Sequence, residues 1–181
     1  MITTIVLIAI VCLVGLVVVI AVQPADFLIT RSAAIPAPAS ILFDHVNDFH
    51  KWETWSPWAQ LDPKAKNIFA GAPSGEGAVF GWAGNSKVGE GKMTILESRQ
   101  NQLIRIKLEF IKPFKAIHSV QFTFAPGGDL TTVTWSMSGK NSFMSKAFGL
   151  FMNCDKMIGS QYEKGLNNLK NAAVGKRPVA A

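Results

Sequence analysis

The sequence predicts an α+β fold in which a strongly twisted antiparallel sheet wraps around a long C-terminal helix, with a separate apolar helix ahead of it. Three observations carry this. Ile2 to Val22 runs 21 residues without a charge, about 31 Å as a helix, which matches a bilayer core. From Gly77 onward apolar and polar residues alternate, the mark of antiparallel strands with one covered face. From Ser142 to Ala172 the apolar residues instead recur at helical spacing.

The first helix reads as an uncleaved membrane anchor, residues 1–22. No Lys or Arg precedes the run, it is too long for the apolar part of a signal peptide, and AVQPAD offers no small-x-small cleavage site. Val11 before Cys12 does not fit a lipoprotein signal. Residues 23–26 are a short hinge, residues 27–173 a single domain, and residues 174–181 a disordered tail. Every charge lies outside the span, so the net charge of +6 belongs to the domain and its tail. Interleaved Lys and Glu give that charge an ordinary role in solubility, although a basic domain beside a bilayer is also drawn to anionic headgroups. Too few charges flank the span to fix its orientation. Cys12 in the span and Cys154 in the last helix predict no disulfide.

Within the domain, Phe27 to Ile35 is a strand ended by Pro36-Ala37-Pro38. A helix follows from Pro38 to Asp48 or Phe49, with Leu42, Phe43, Val46 and Phe49 on one face and only Ala37 to cap it. Three of the five tryptophans then fall within DFHKWETWSPW, Asp48 to Trp58. A segment so rich in large rings is an anchor in the core. Trp52 and Trp55 share one side of a short helical turn, Ser56-Pro57 stops it, and the chain leaves extended through Trp58.

Asp62-Pro63 and Gly71, Gly75 and Gly77 break the chain before about six antiparallel strands. Gly89-Glu90-Gly91 reads as a bulge at a strand start. In Leu103 to Phe110 the apolar Ile104, Ile106, Leu108 and Phe110 alternate with Arg105, Lys107 and Glu109. After the turn at Lys112 to Lys115, Ile117 to Phe124 presents His118, Val120, Phe122 and Phe124 on one face. Pro126 to Asp129 turns the chain into Thr131 to Ser138, where Val133, Trp135 and Met137 share a face. The long helix carries Ala147, Phe151, Cys154, Ile158, Tyr162 and Leu169 as its inner stripe, with Leu166 beside it. Gly149, Gly159 and Gly165 interrupt it, each costing about 1 kcal/mol against Ala. They indicate close packing, or room left for something that is not protein. One helix cannot fill the concave face of such a sheet, so a cavity is the natural outcome.

This order, and four local patterns within it, resemble the helix-grip superfamily of START-related, Bet v 1-like and polyketide cyclase-like (SRPBCC) proteins, and among them the membrane-anchored bacterial type. The patterns are RSAAIPAPASILFDHVNDF at Arg31 to Phe49, WETWSPW at Trp52 to Trp58, VFGWAGNSKVGEGKMTI at Val79 to Ile95, and DKMIGSQYEKGLNNLK at Asp155 to Lys170. The resemblance implies an internal apolar cavity between sheet and long helix that holds a lipid, a polyketide-like molecule or another hydrophobic ligand. It does not imply one reaction.

Alternation assigns Phe110, His118, Phe122, Trp135 and Met137 to the inner face of the sheet, and the helix adds Cys154, Ile158 and Tyr162. Phe80 and Trp82 share parity on their strand, opposite Gly81 and Ala83, and so point together. All are candidate ligand contacts or, equally, ordinary core. His118 is the ionisable group on an otherwise apolar strand face; burial keeps such a ring neutral, suited to general base work or to a hydrogen bond with a ligand carbonyl. A core histidine satisfied by Tyr162 or by a backbone carbonyl is the structural alternative. His45 and Asp48 have a spacing that can share a metal ion, but no third ligand accompanies them, so no metal and no cofactor is expected. His45 borders the packed face and His50 faces solvent. Gly84 to Gly89 lacks the Lys of a phosphate loop, Gly75-Glu76-Gly77 lacks the third glycine of a dinucleotide loop, and neither GxSxG nor HExxH occurs. Arg105 and Lys107 belong to a solvated sheet face without aromatic partners, which argues against nucleic acid. Three functions stay open: a membrane-anchored module that binds a hydrophobic small molecule or lipid, a cyclase- or hydrolase-like enzyme using His118 or Tyr162 as acid/base, and a protein-interaction module that exposes an apolar patch around Trp55 and Trp58. The sequence names neither the ligand nor the oligomeric state.

Overall fold

A computed structural model describes residues 1–150 and 152–175. The uncharged run forms helix α1, Ile2–Ala21, exposed along its length except for Ile20. Among the described residues it is the one helix long and apolar enough to cross a membrane, with a mean hydropathy of 3.3.

Strand β1 (Asp26–Ile35) is followed by helix α2 (Ala39–Asn47), whose Leu42, Phe43 and Val46 face inward as their spacing requires. Two short 3-10 turns, Phe49–Thr54 and Pro57–Gln60, carry the tryptophans. The second replaces the extended exit expected at Trp58: Pro57 sits at its first position, where the missing N–H costs nothing. Then come β2 (Lys66–Gly71), β3 (Ala78–Ala83), β4 (Glu90–Arg99), β5 (Leu103–Lys112), β6 (Ala116–Gly127) and β7 (Leu130–Lys140). All seven strands form one antiparallel sheet in the order β1-β7-β6-β5-β4-β3-β2. The expected bulge is a register shift between Glu90 and Gly91. β2 is the strand that alternation missed, because all of its residues are exposed.

The C-terminal helix is not continuous. Helix α3 (Phe143–Gly149) and helix α4 (Cys154–Ala173) are separate. Each has its own side-chain cap, Ser142 accepting from the Ser145 N–H and Asn153 from the Lys156 N–H. Gly149 closes α3. The apolar periodicity reads straight across this break because caps are polar residues that leave the stripe's phase intact. Phe151, expected on the stripe, and residues 176–181, where most of the expected tail falls, lie outside the described residues.

α3 turns back toward α1. Lys146 Nζ donates to the Ala21 carbonyl at 3.2 Å, and the Asn141 N–H to the Ala25 carbonyl at 2.7 Å. α4 lies chiefly along β1 and also meets β7, α2 and the 3-10 turns.

The candidate ligand site on the concave face

The strand register divides the concave face in two. At the end away from α1, Trp52 and Trp55 drop from the first 3-10 turn into the sheet. Their indole N–H groups donate to the Val46 carbonyl at 2.9 Å and to the His45 carbonyl at 3.1 Å. Such bonds let a large apolar ring be buried with its one donor satisfied. Trp55 and Phe122 are 0% exposed, Trp135 and Tyr162 2%. Tyr162 from α4 stacks on Trp135 with centroids 4.0 Å apart and planes 10° from parallel, and Phe122 packs on its ring at 4.7 Å. Burial pushes the Tyr162 phenol pKa well above its ordinary value.

The helix glycines fit this half. A Cβ at Gly165 would stand 2.7 Å from Trp135 Cζ3 and 3.2 Å from Pro57 Cδ. A Cβ at Gly159 would strike the Arg31 guanidinium, which reaches from β1 to Glu163 at 2.8 Å and Asp155 at 3.0 Å. The space these glycines leave is therefore taken by protein. Phe122, Trp135, Met137 and Tyr162, four of the sequence candidates, belong to this packed half.

The end near α1 is different. Trp82, Phe110, His118 and Phe27, from β3, β5, β6 and β1, form a row of rings across the sheet, with centroid spacings of 6.1, 5.9 and 5.1 Å. Phe80 extends the row beside Trp82 at 6.1 Å. The strands between contribute glycines. Trp82 lies where a Cβ of Gly91 on β4 would stand, and His118 where a Cβ of Gly139 on β7 would stand. With no side chain beneath them the rings lie low and make a floor. Trp82 is held by its N–H to the Val88 carbonyl at 3.0 Å. All five members are half-buried, as are Leu108 beside them and Ile158 and Cys154 at the start of α4. α4 itself begins only at Cys154.

His118 Nδ1 is buried with no hydrogen-bond partner. The nitrogen is turned onto Gly139, away from Tyr162. Burial lowers the His118 pKa. An imidazolium needs both nitrogens to donate, so the enclosed Nδ1 holds the ring neutral and leaves only Nε2 to bond a molecule arriving from solvent. No hydrogen bond or ring contact joins His118 to Tyr162.

The other histidines lie apart from the row. His45 is half-buried, its Nδ1 also without a partner and its pKa lowered by burial. His50 is exposed, stacked on Phe69 at 4.2 Å and bonded to Asp48 at 2.9 Å. Among the described residues no three His, Cys, Asp or Glu side chains gather as a metal would require. An open hollow of about 800 Å³ lies to one side, lined by Lys64, Lys66, Asn85, Glu90 and Lys112 among others. None of the candidate residues borders it. On the convex face Lys92 and Lys107 flank Glu109 at 3.3 and 2.9 Å, and Arg105 pairs with Glu97 at 2.6 Å.

A family model described as polyketide cyclase / dehydrase and lipid transport matches residues 26–174. The chain belongs to this family. Solved structures of other proteins share the fold. A Thermobifida fusca protein is 20% identical, with a TM-score of 0.61 over 81% of this chain and 92% of its own. Protein MLL2253 of Mesorhizobium loti is 18% identical, with a TM-score of 0.58 over 80% and 95%. The di-domain ARO/CYC StfQ of the steffimycin biosynthetic pathway is 8% identical, with a TM-score of 0.60 over 83% of this chain and 51% of its own. At these identities the likeness is one of fold. No curated protein matches the sequence.

Proposed function

We propose that residues 27–173 form a membrane-tethered module that binds a hydrophobic small molecule or lipid against the row Phe80, Trp82, Phe110, His118 and Phe27, with Ile158 and Cys154 at its edge. The observation that carries this is the uneven filling of the concave face. One half is dense core, while the other presents half-buried rings over Gly91 and Gly139. Half-buried aromatic surface gains free energy when an apolar molecule covers it, about 25 cal/mol per Å² removed from water. His118 Nε2 supplies the single polar contact, suited to a ligand carbonyl, hydroxyl or carboxyl. The family description, which includes lipid transport, supports the same ligand class.

Acid-base catalysis draws less support. His118 stands between Phe27 and Phe110, and Tyr162 lies under Trp135 and Trp58. Such chemistry needs several polar groups converging on one reacting atom.

The tether is helix α1. A signal sequence can also meet the length and hydropathy of a spanning helix, but Ile20 is buried where α1 meets α3, and Pro24 and Ala25 are bonded by Asn141. These contacts join the helix to the fold as an anchor would be joined.

Native mass spectrometry of the gently purified full chain, followed by extraction, tests the proposal. One apolar adduct per chain, lost in Trp82→Ala/Phe110→Ala, is the expected result. An adduct retained in that variant, or none in either protein, contradicts it.

A further inference from the structure

The two ends of the sheet differ in their turns. Away from α1 the turns are Arg99–Gln102, Pro126–Asp129 and Pro73–Glu76, without a large apolar side chain among them. At the α1 end the β5–β6 turn exposes Phe114 (57%), and α3 with the segment after it exposes Phe143, Met144, Phe148, Leu150 and Met152 (38–53%). The two elements meet, since Phe114 and Phe148 have ring centroids 6.1 Å apart. α3 also holds the last turn of α1 through Ile20 and Lys146. The patch is thus continuous with the point where the apolar helix leaves the domain. Lys115, Lys140 and Lys156 lie exposed around it; none forms an ion pair among the described residues, and Lys140 stands opposite Asp26 in the β1–β7 register.

We propose that this end is a membrane-contact lip: Phe114 and the exposed face of α3 enter the interface of an anionic bilayer while the lysines meet its headgroups. The proposal rests on the reading of α1 as a membrane anchor. Three features select a bilayer over a protein partner. The patch surrounds the exit of a helix of spanning length, it combines Phe, Met and Leu with exposed Lys, and its apolar side chains lie on a turn and an exposed helix face rather than in a groove. The consequence is orientation. Trp82, Phe110, His118 and Phe27 all lie near this end of their strands, so a lip in the interface brings the open half of the concave face to the layer in which apolar molecules partition. A domain on a free tether would meet that layer only at intervals.

Nitroxide depth measurement on the full chain tests this. The chain is reconstituted into vesicles of phosphatidylcholine with phosphatidylglycerol, and one label is attached per protein. The label positions are Phe114→Cys, Phe148→Cys and, as the distant control, Asp129→Cys in a Cys12→Ser/Cys154→Ser background. A fourth protein carries the label on native Cys12 in Cys154→Ser. Labels at 114 and 148 should show oxygen accessibility raised and aqueous nickel-chelate accessibility lowered several-fold relative to 129, with Cys12 the deepest. Labels at 114 and 148 as wet as 129, with Cys12 embedded, would overturn the lip and leave the anchor standing; that result would return the patch to a protein partner. A wet Cys12 would remove the anchor and the lip together. Lys115→Glu/Lys140→Glu should raise nickel-chelate accessibility at 114 toward that at 129. No change would overturn the anionic surface, because an apolar dip would then suffice.

Discussion

The two halves of the concave face use the same kind of residue to opposite ends. In the half away from α1, Trp52, Trp55, Phe122, Trp135 and Tyr162 interlock until almost nothing is exposed. In the half near α1, Phe80, Trp82, Phe110 and Phe27 stay half-buried with His118 among them. Cover, rather than aromatic content, makes the difference. The first half lies under α4 and both 3-10 turns, while α4 begins only after the Asn153 cap and Ser142 starts a separate helix that turns toward α1. Glycines mark the division too. Gly159 and Gly165 admit protein into the packed half, and Gly91 and Gly139 lower the floor of the open one.

Trp135→Ala should separate the halves most sharply. Truncating a buried Trp costs about 3–5 kcal/mol, which for a chain of this size lowers Tm by more than about 6 °C. Phe110→Ala, half-buried, should cost well under half as much while weakening ligand uptake. Equal Tm losses in the two variants would erase the distinction.

Gly165→Ala comes next. Despite the better helix propensity of Ala, the new methyl meets Trp135 and Pro57, and such overpacking costs about 1–3 kcal/mol. Gly139→Ala should displace the His118 ring, leave Tm closer to wild type and reduce ligand uptake. Thermal melts and a fluorescent fatty-acid titration read the two effects separately.

How much of this was legible in the sequence follows from the same physics. The α+β order, the inward parity of β5, β6 and β7, the bulge at Gly91 and the anchor tryptophans were all readable, because each is a local pattern of period or turn chemistry. Two things were not. Alternation placed Phe122 and Phe110 on one face but could not say that Trp52 and Trp55 would fill the space over the first. That depends on where a 3-10 turn lands after folding. The helix break was also hidden, since Asn153 caps α4 without disturbing the 3.6-residue stripe. The caps were visible as residue types, and Gly149 followed by Asn153 was the signal available for finding them.

A smaller effect concerns pH. Unfolded, a histidine titrates near 6.5, and burial lowers that value for both His118 and His45. Below about 6.5 the unfolded chain therefore holds more protons than the folded one, so stability falls as pH drops through that value and on toward the folded pKa. His118→Phe should flatten this slope in part, with His45 supplying the remainder. A slope unchanged in His118→Phe would mean that Nδ1 is not enclosed as described. Smallest of all, Lys107→Ala on the convex face should leave both Tm and ligand uptake as in wild type, since exposed ion pairs contribute little.

The central claim is that the open half, and not the packed half, meets the ligand. Photolabelling of the full chain in vesicles with a diazirine-bearing fatty acid, followed by peptide mapping, tests it most directly. The account predicts adducts on Phe80, Trp82, Phe110 or His118, competed by unlabelled fatty acid, with none on Phe122 or Trp135. Adducts confined to α1 and to the Phe114 and Phe148 tips, with the ring row unlabelled, would contradict it.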